Sequence, residues 1–134
     1  MHGLRITAMD HIVLNVRDVE RALAFYCGVL GLEGERLEEF RKGEVGFPSV
    51  RINEGTLIDL AIDTEAASLE GRNKNLNHYC LVADDADLAA VSQSLKSQGV
   101  TVLQEPVSRW GARGRATSIY ILDPDGNEIE IRCY

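Results

Sequence analysis

The chain reads as one series of elements written twice. Residues 10–16, DHIVLNV, are rich in β-formers, and strand alternation puts His11, Val13 and Asn15 on one face and Ile12, Leu14 and Val16 on the other. A helix is expected over 18–30, with Asp18 as N-cap and an apolar stripe of Ala22, Leu23, Phe25, Tyr26, Val29 and Leu30. Gly31 stands where a closing glycine belongs. The charge-rich stretch 33–46 holds a short strand around 36–40. Strands over 47–53 and 56–63 follow, joined by a tight turn at Glu54–Gly55. Residues 64–75 are polar, lack alternation and read as a linker. The series then restarts. A strand over 76–83 leads to a helix over 84–99 and a strand over 100–106 stopped by Pro106. A basic loop over 108–116, a strand over 117–122, a DPDGN turn and a strand over 128–134 complete it.

Fixed-offset similarity of this kind marks duplicated architecture. The fold class is α+β: two βαβββ modules, about 8–63 and 76–134, within one domain spanning 1–134. Two repeats are too few for a solenoid, so they are expected to close on each other, in one chain or across a dimer. Curved mixed sheets would then form a half-barrel with the helices outside. At 134 residues, about two thirds of the unfolded surface can be buried without a staple.

Composition narrows the function classes. With 14 Lys and Arg against 21 Asp and Glu, the net charge of −7 repels phosphate backbones and disfavours nucleic acid as a partner. The apolar runs are too short to span a membrane. Cys27, Cys80 and Cys133 are odd in number and widely spaced. They suit small, mostly buried apolar residues rather than a zinc knuckle or redox motif. The opening MHGLRITAMD lacks the apolar stretch of a signal peptide, and a reducing cytoplasm fits both features.

The repeat also places chemistry. Several strands carry a polar alternation class where a core face would be apolar: His11 with Asn15, Arg51 with Asn53, Asp59 with Asp63, and Glu128 with Glu130 and Arg132. His11 and His78 hold the same place in the first strand of each module, and Asp59 and Glu130 the same place in the last. The His-to-carboxylate separations are 48 and 52 residues. Two imidazoles with one or two carboxylates suit a divalent ion of intermediate hardness, such as zinc, nickel, manganese or ferrous iron.

The pieces DHIVLNVRDVERALAFYCGVLGL, LNHYCLV and GARGRATSIYILDPDGNEIEI resemble the vicinal oxygen chelate superfamily, over about residues 8–134. It includes glyoxalase I, extradiol dioxygenases, fosfomycin-resistance thiol transferases and metal-free bleomycin-binding proteins, and the last piece is most like its small stand-alone glyoxalase-like members. The resemblance implies a metal held by His11, His78 and Glu130, and a two-fold homodimer whose cavities are shared by modules of different chains. A fourth ligand position falls on Asp59. Its side chain is one methylene shorter than the usual Glu, so it acts either as a base beside the metal or as a ligand needing a local backbone shift.

The activity implied is a divalent-metal-dependent lyase acting on a small, anionic, oxygen-chelating substrate, with Glu130 or Asp59 as catalytic base. Alternatives are a dioxygenase or thiol transferase of the same metal set, or a non-catalytic sequestration protein for a small ligand. Substrate contacts are expected from Arg51, whose guanidinium wants an anion, and from Tyr120, which shares a strand face with Ser118. Arg113 and Arg115, with Arg109, flank Trp110 in the basic loop. Gly111 and Gly114 would let that loop close over an anionic substrate. Cys80, on the face of His78, is a further possible thiolate ligand.

Overall fold

The fold is that of a computed structural model in which Arg5 and residues 7–62 and 76–134 are described. The proposed linker 64–75, and Asp63 at the end of its expected strand, lie outside the described residues. The chain divides into two compact units, Met1–Gly71 and Arg72–Tyr134.

In the first unit, β1 (His11–Val16), β2 (Glu33–Glu35), β3 (Ser49–Asn53) and β4 (Thr56–Ile62) form an open sheet in the order β1-β4-β3-β2. β1 and β4 run parallel, and the other pairs are antiparallel. In the second unit, β5 (Tyr79–Val82), β6 (Val102–Gly111), β7 (Gly114–Leu122) and β8 (Glu128–Cys133) repeat that order as β5-β8-β7-β6, again with one parallel pair at the edge. Two mixed four-stranded sheets with few helices give the α+β class read from the repeat.

Alternation sorts the faces as expected. Leu14 and Val16 are buried, while His11, Val13 and Asn15 are exposed. α1 (Val19–Leu23) starts at Asp18, whose carboxylate accepts from the Arg21 N–H. It continues as a π-helical segment over Ala24–Val29. There the Leu30 N–H reaches back to the Phe25 carbonyl, widening the turn. Phe25 and Tyr26 pack edge to face with ring centres 5.0 Å apart, both buried. α1 lies on β4. In the second unit α3 (Leu88–Ser97) lies on β6 and β7, burying Leu88 and Leu95. Each such side chain contributes about 1.5–3 kcal/mol when removed from water.

Five expectations need correction. The strand expected over 36–40 is instead the start of α2 (Leu37–Arg41), β2 having ended at Glu35. Arg36, at φ 60°, takes the left-handed conformation that breaks the strand. Glu38 and Glu39 then suit the positive helix start and Arg41 its end, where Arg41 also forms a bidentate pair with Glu20. α3 begins at Leu88 rather than 84, because Asp87 caps it by accepting from the Ala89 and Ala90 N–H groups. Pro106 does not stop its strand. β6 is an edge strand whose register shifts between Gln104 and Val107, where a missing N–H is tolerated. The basic loop 108–116 is therefore the end of a long β6–β7 hairpin, closed between the paired Gly111 and Gly114. The cysteines are not core residues either: Cys27 and Cys133 are half-buried, Cys80 is exposed, and all three are free.

Candidate functional site

Among the described residues, each unit carries one imidazole at or just before its first strand and one buried carboxylate on its last. Cys80 pairs with Glu130 across β5 and β8, and Val13 with Asp59 across β1 and β4. In both units the histidine stands two residues before the partner of the acid, so the repeat seen in the sequence is kept in the strand register.

In the second unit, Nε2 of His78 lies 3.2 Å from Oε1 of Glu130. The other carboxylate oxygen, Oε2, accepts from Ser118 Oγ at 2.6 Å and Arg132 Nη1 at 2.9 Å. Burial opposes ionisation of Glu130, but hydrogen bonds from Ser118, Arg132 and Tyr120, with the charge of Arg132, outweigh it. The carboxyl is held below its ordinary range. Tyr120 packs edge to face on His78 at 5.5 Å, and burial followed by the Glu130 charge raises its phenol pKa.

The first unit repeats the arrangement with a longer histidine–acid distance. Oδ2 of Asp59 faces His11 Nε2 at 3.9 Å, and Oδ1 accepts from Ser49 Oγ at 2.5 Å. Ser49 in turn accepts from Arg36 Nη2 at 2.5 Å. Each carboxylate thus gives one oxygen to a serine backed by an arginine and turns the other to a histidine. The hydrogen bond that His11 donates to Asp10 raises the pKa of His11; burial opposes it, and the charges of Asp59 and Asp10 add to the rise.

Sequence reasoning missed the residues that hold these acids. Ser49 and Ser118 are fully buried, and the buried Arg132 donates to the carbonyls of Arg109, Trp110 and Gly114 as well as to Glu130. Its Nε has no partner among the described residues. The available signal was position: Ser49, Ser118 and Arg132 all lie on the polar alternation class of their strands. Asp10 and Asn77 were also missed. Asp10 Oδ2 lies 2.7 Å from His11 Nδ1, and Asn77 Oδ1 lies 2.6 Å from His78 Nδ1.

Other expected residues are held by neighbours within their own unit. Arg51 donates to Glu35 Oε1 at 2.5 Å and to the carbonyls of Asn53 and Glu54. Arg115 stacks on Trp110 at 4.8 Å, and Arg113 and Arg132 lie 4.2 and 4.6 Å from the Tyr134 ring centre. Trp110 remains 71% exposed. The Cys80 thiol is pushed up to about 11, by desolvation and then by the Glu130 charge, so it stays protonated at neutral pH.

The sequence profile of the Glyoxalase/Bleomycin resistance protein/Dioxygenase superfamily matches residues 8–131. The chain belongs to this superfamily. It is 33% identical to virulence protein STM3117 of Salmonella typhimurium, over 96% of this chain and 85% of that protein. The solved structure of an integron cassette protein of V. cholerae superposes with a TM-score of 0.75 at 30% identity, covering 98% of both chains. More distant superfamily relatives bear different activities in their names. One is a probable lactoylglutathione lyase of Synechocystis, 25% identical over 90% of this chain and 91% of its own. Others are the glutathione transferase FosA of Serratia marcescens, 23% identical over 94% and 80%, and a catechol-2,3-dioxygenase of Bacillus subtilis, 28% identical over 93% and 41%.

The superfamily generally uses a divalent metal. The donor chemistry here fits one, since each unit presents an imidazole nitrogen and a carboxylate oxygen, ligands of intermediate hardness. Within either unit, no three His, Cys, Asp or Glu side chains among the described residues gather as a complete ligand set. The expected donors His11, His78 and Glu130 draw on both units.

Proposed function

We propose that this chain is a divalent-metal-dependent enzyme of the glyoxalase type, acting on a small anionic substrate with two neighbouring oxygens. His11, His78 and Glu130 would hold the metal, with zinc, nickel, manganese and ferrous iron as candidates. The observation that carries the reading is the matched half-site in each unit: a buried acid, fixed through one oxygen by serine and arginine, turns its other oxygen to an imidazole nitrogen. A bound divalent ion supplies Lewis-acid stabilisation of negative charge on the substrate's oxygens.

The protein's own contribution is orientation and proton handling. Ser118 and Arg132 keep Glu130 ionised and aimed, as its depressed pKa requires. Asp59 would take a proton from carbon through Oδ2, while Ser49 holds Oδ1. Tyr120 donates toward Glu130 and stands beside His78, where it can also orient a substrate oxygen. Arg113 and Arg115 lie toward the end of the hairpin and would contact an anionic group, with Trp110 covering an apolar one. As a working unit we propose a homodimer in the cytoplasm. No helix among the described residues is long and apolar enough to cross a membrane.

A metal-by-substrate panel tests the reading. Metal-reconstituted protein is assayed with the methylglyoxal–glutathione hemithioacetal, with thiol-transfer substrates and with catechols. Turnover of the hemithioacetal that requires metal supports it. Turnover of only the other two replaces it with a transferase or dioxygenase. Tight small-ligand binding by protein that takes up no metal replaces it with sequestration.

A further inference from the structure

We propose that Asp10 and Asn77 are positioning residues that fix the protons of His11 and His78 on Nδ1, leaving each Nε2 with a bare lone pair; the proposal rests on the metal reading above. The two contacts are short, 2.7 Å from His11 Nδ1 to Asp10 Oδ2 and 2.6 Å from His78 Nδ1 to Asn77 Oδ1. Carboxylate and amide oxygens accept hydrogen bonds and do not donate them. Each ring's shorter contact therefore takes the proton, on Nδ1, since Nε2 meets its carboxylate only at the longer 3.9 Å in His11 and 3.2 Å in His78. A neutral imidazole has only one such proton, so Nε2 is left as an acceptor.

Nε2 also faces an acceptor. Asp59 Oδ2 stands 3.9 Å from that of His11, and Glu130 Oε1 stands 3.2 Å from that of His78. Two lone pairs confronted in this way repel unless a cation lies between or beside them. The fixed tautomer thus turns a histidine–carboxylate contact that would be self-satisfied into a pair of metal donors. An oxygen acceptor on the far nitrogen of a metal-binding imidazole also raises its basicity.

The device is built twice with different chemistry. One unit uses a carboxylate and the other an amide, and what they share is an acceptor oxygen on the residue just before the histidine. Strand alternation would normally send adjacent side chains to opposite faces. Both pairs escape this by position: Asp10 precedes β1, which begins at His11, and Asn77 and His78 precede β5, which begins at Tyr79.

The test uses full-length protein and the variants Asp10→Leu, Asp10→Asn, Asn77→Leu and Asn77→Asp. Long-range proton–nitrogen NMR on the metal-free proteins at about pH 9, well above the ordinary imidazole pKa of about 6.5, reads each ring's tautomer. The expected result is Nδ1–H at both histidines of the parent. Asp10→Leu moves only His11 to Nε2–H, Asn77→Leu moves only His78, and the Asn and Asp variants retain Nδ1–H. Calorimetry with zinc alone should show an affinity loss of about 10–100-fold for each leucine variant. Nε2–H rings in the parent, or leucine variants with the parent's tautomers and zinc affinity, overturn the proposal. A parent with Nδ1–H rings that binds no zinc supports the positioning role and overturns the metal reading.

Discussion

Glu130 divides its two oxygens between Ser118 and His78: Oε2 accepts from the serine hydroxyl at 2.6 Å, and Oε1 faces the imidazole Nε2 at 3.2 Å. Asp59 divides its own between Ser49 and His11 in the same sense. A buried carboxylate fixed through one oxygen cannot turn freely, so its other oxygen stays facing the imidazole.

Ser118→Ala removes one of the hydrogen bonds that hold Glu130 ionised. A hydrogen bond to a charged group contributes about 1.5–3 kcal/mol, and that loss is the expected drop in stability. The urea midpoint should fall with an unchanged slope. A variant as stable as the parent would show that Arg132 alone fixes the acid.

Gly111 sits against Arg132 and Tyr134. A methyl group there would overlap the guanidinium and the phenol hydroxyl, 2.6 Å from Tyr134 Oη. Arg132 is buried and committed to three backbone carbonyls, so it cannot swing aside. Gly111→Ala should destabilise by about 1–3 kcal/mol. Gly28, in the π-helical segment, faces open space where a methyl group would stand, and Gly28→Ala should stabilise by about 0.4–1 kcal/mol. Thermal unfolding of the two variants reads opposite signs.

Glu105 is bound by Lys96 and by Ser92 Oγ at 2.7 Å, and these hydrogen bonds hold its carboxyl below the ordinary range. A depressed folded pKa means the stabilisation is complete above the unfolded value of about 4.3 and is lost as pH falls through the folded one. The stability difference between parent and Glu105→Gln should be constant from neutral pH down to that region and close below it. A gap independent of pH would remove the ionised carboxylate from the account.

The paired faces, the Asp18 cap of the first helix and the strand positions of His11, Asp59 and Glu130 were legible in the sequence because alternation and repeat offset report them. The arginine-rich segments were not. At 36–41 a left-handed Arg36 and a short charged helix replace the expected strand. At 108–116 two glycines suggested a hinge, yet they close a hairpin whose carbonyls Arg132 binds from a neighbouring strand. Arg132 is distant in sequence, and local composition carries no trace of such a contact.

That hairpin limits how its arginines can act. Arg113 and Arg115 are held by stacking on Tyr134 and Trp110, so they would meet an anionic substrate as a fixed rim. Arg113→Ala and Arg115→Ala should each raise KM for an anionic substrate while metal content stays constant. Values of kcat/KM within about twofold of the parent would remove both from the substrate site, a change of under about 0.5 kcal/mol.

The central claim is that His11, His78 and Glu130 hold one divalent ion. Equilibrium dialysis of metal-free protein against zinc, nickel, manganese or ferrous iron, followed by elemental analysis, tests it directly. The account predicts stoichiometric uptake of at least one of these ions by the parent and none by a folded His78→Ala variant. Uptake by His78→Ala equal to the parent's, or a parent that binds none of the four, would contradict it.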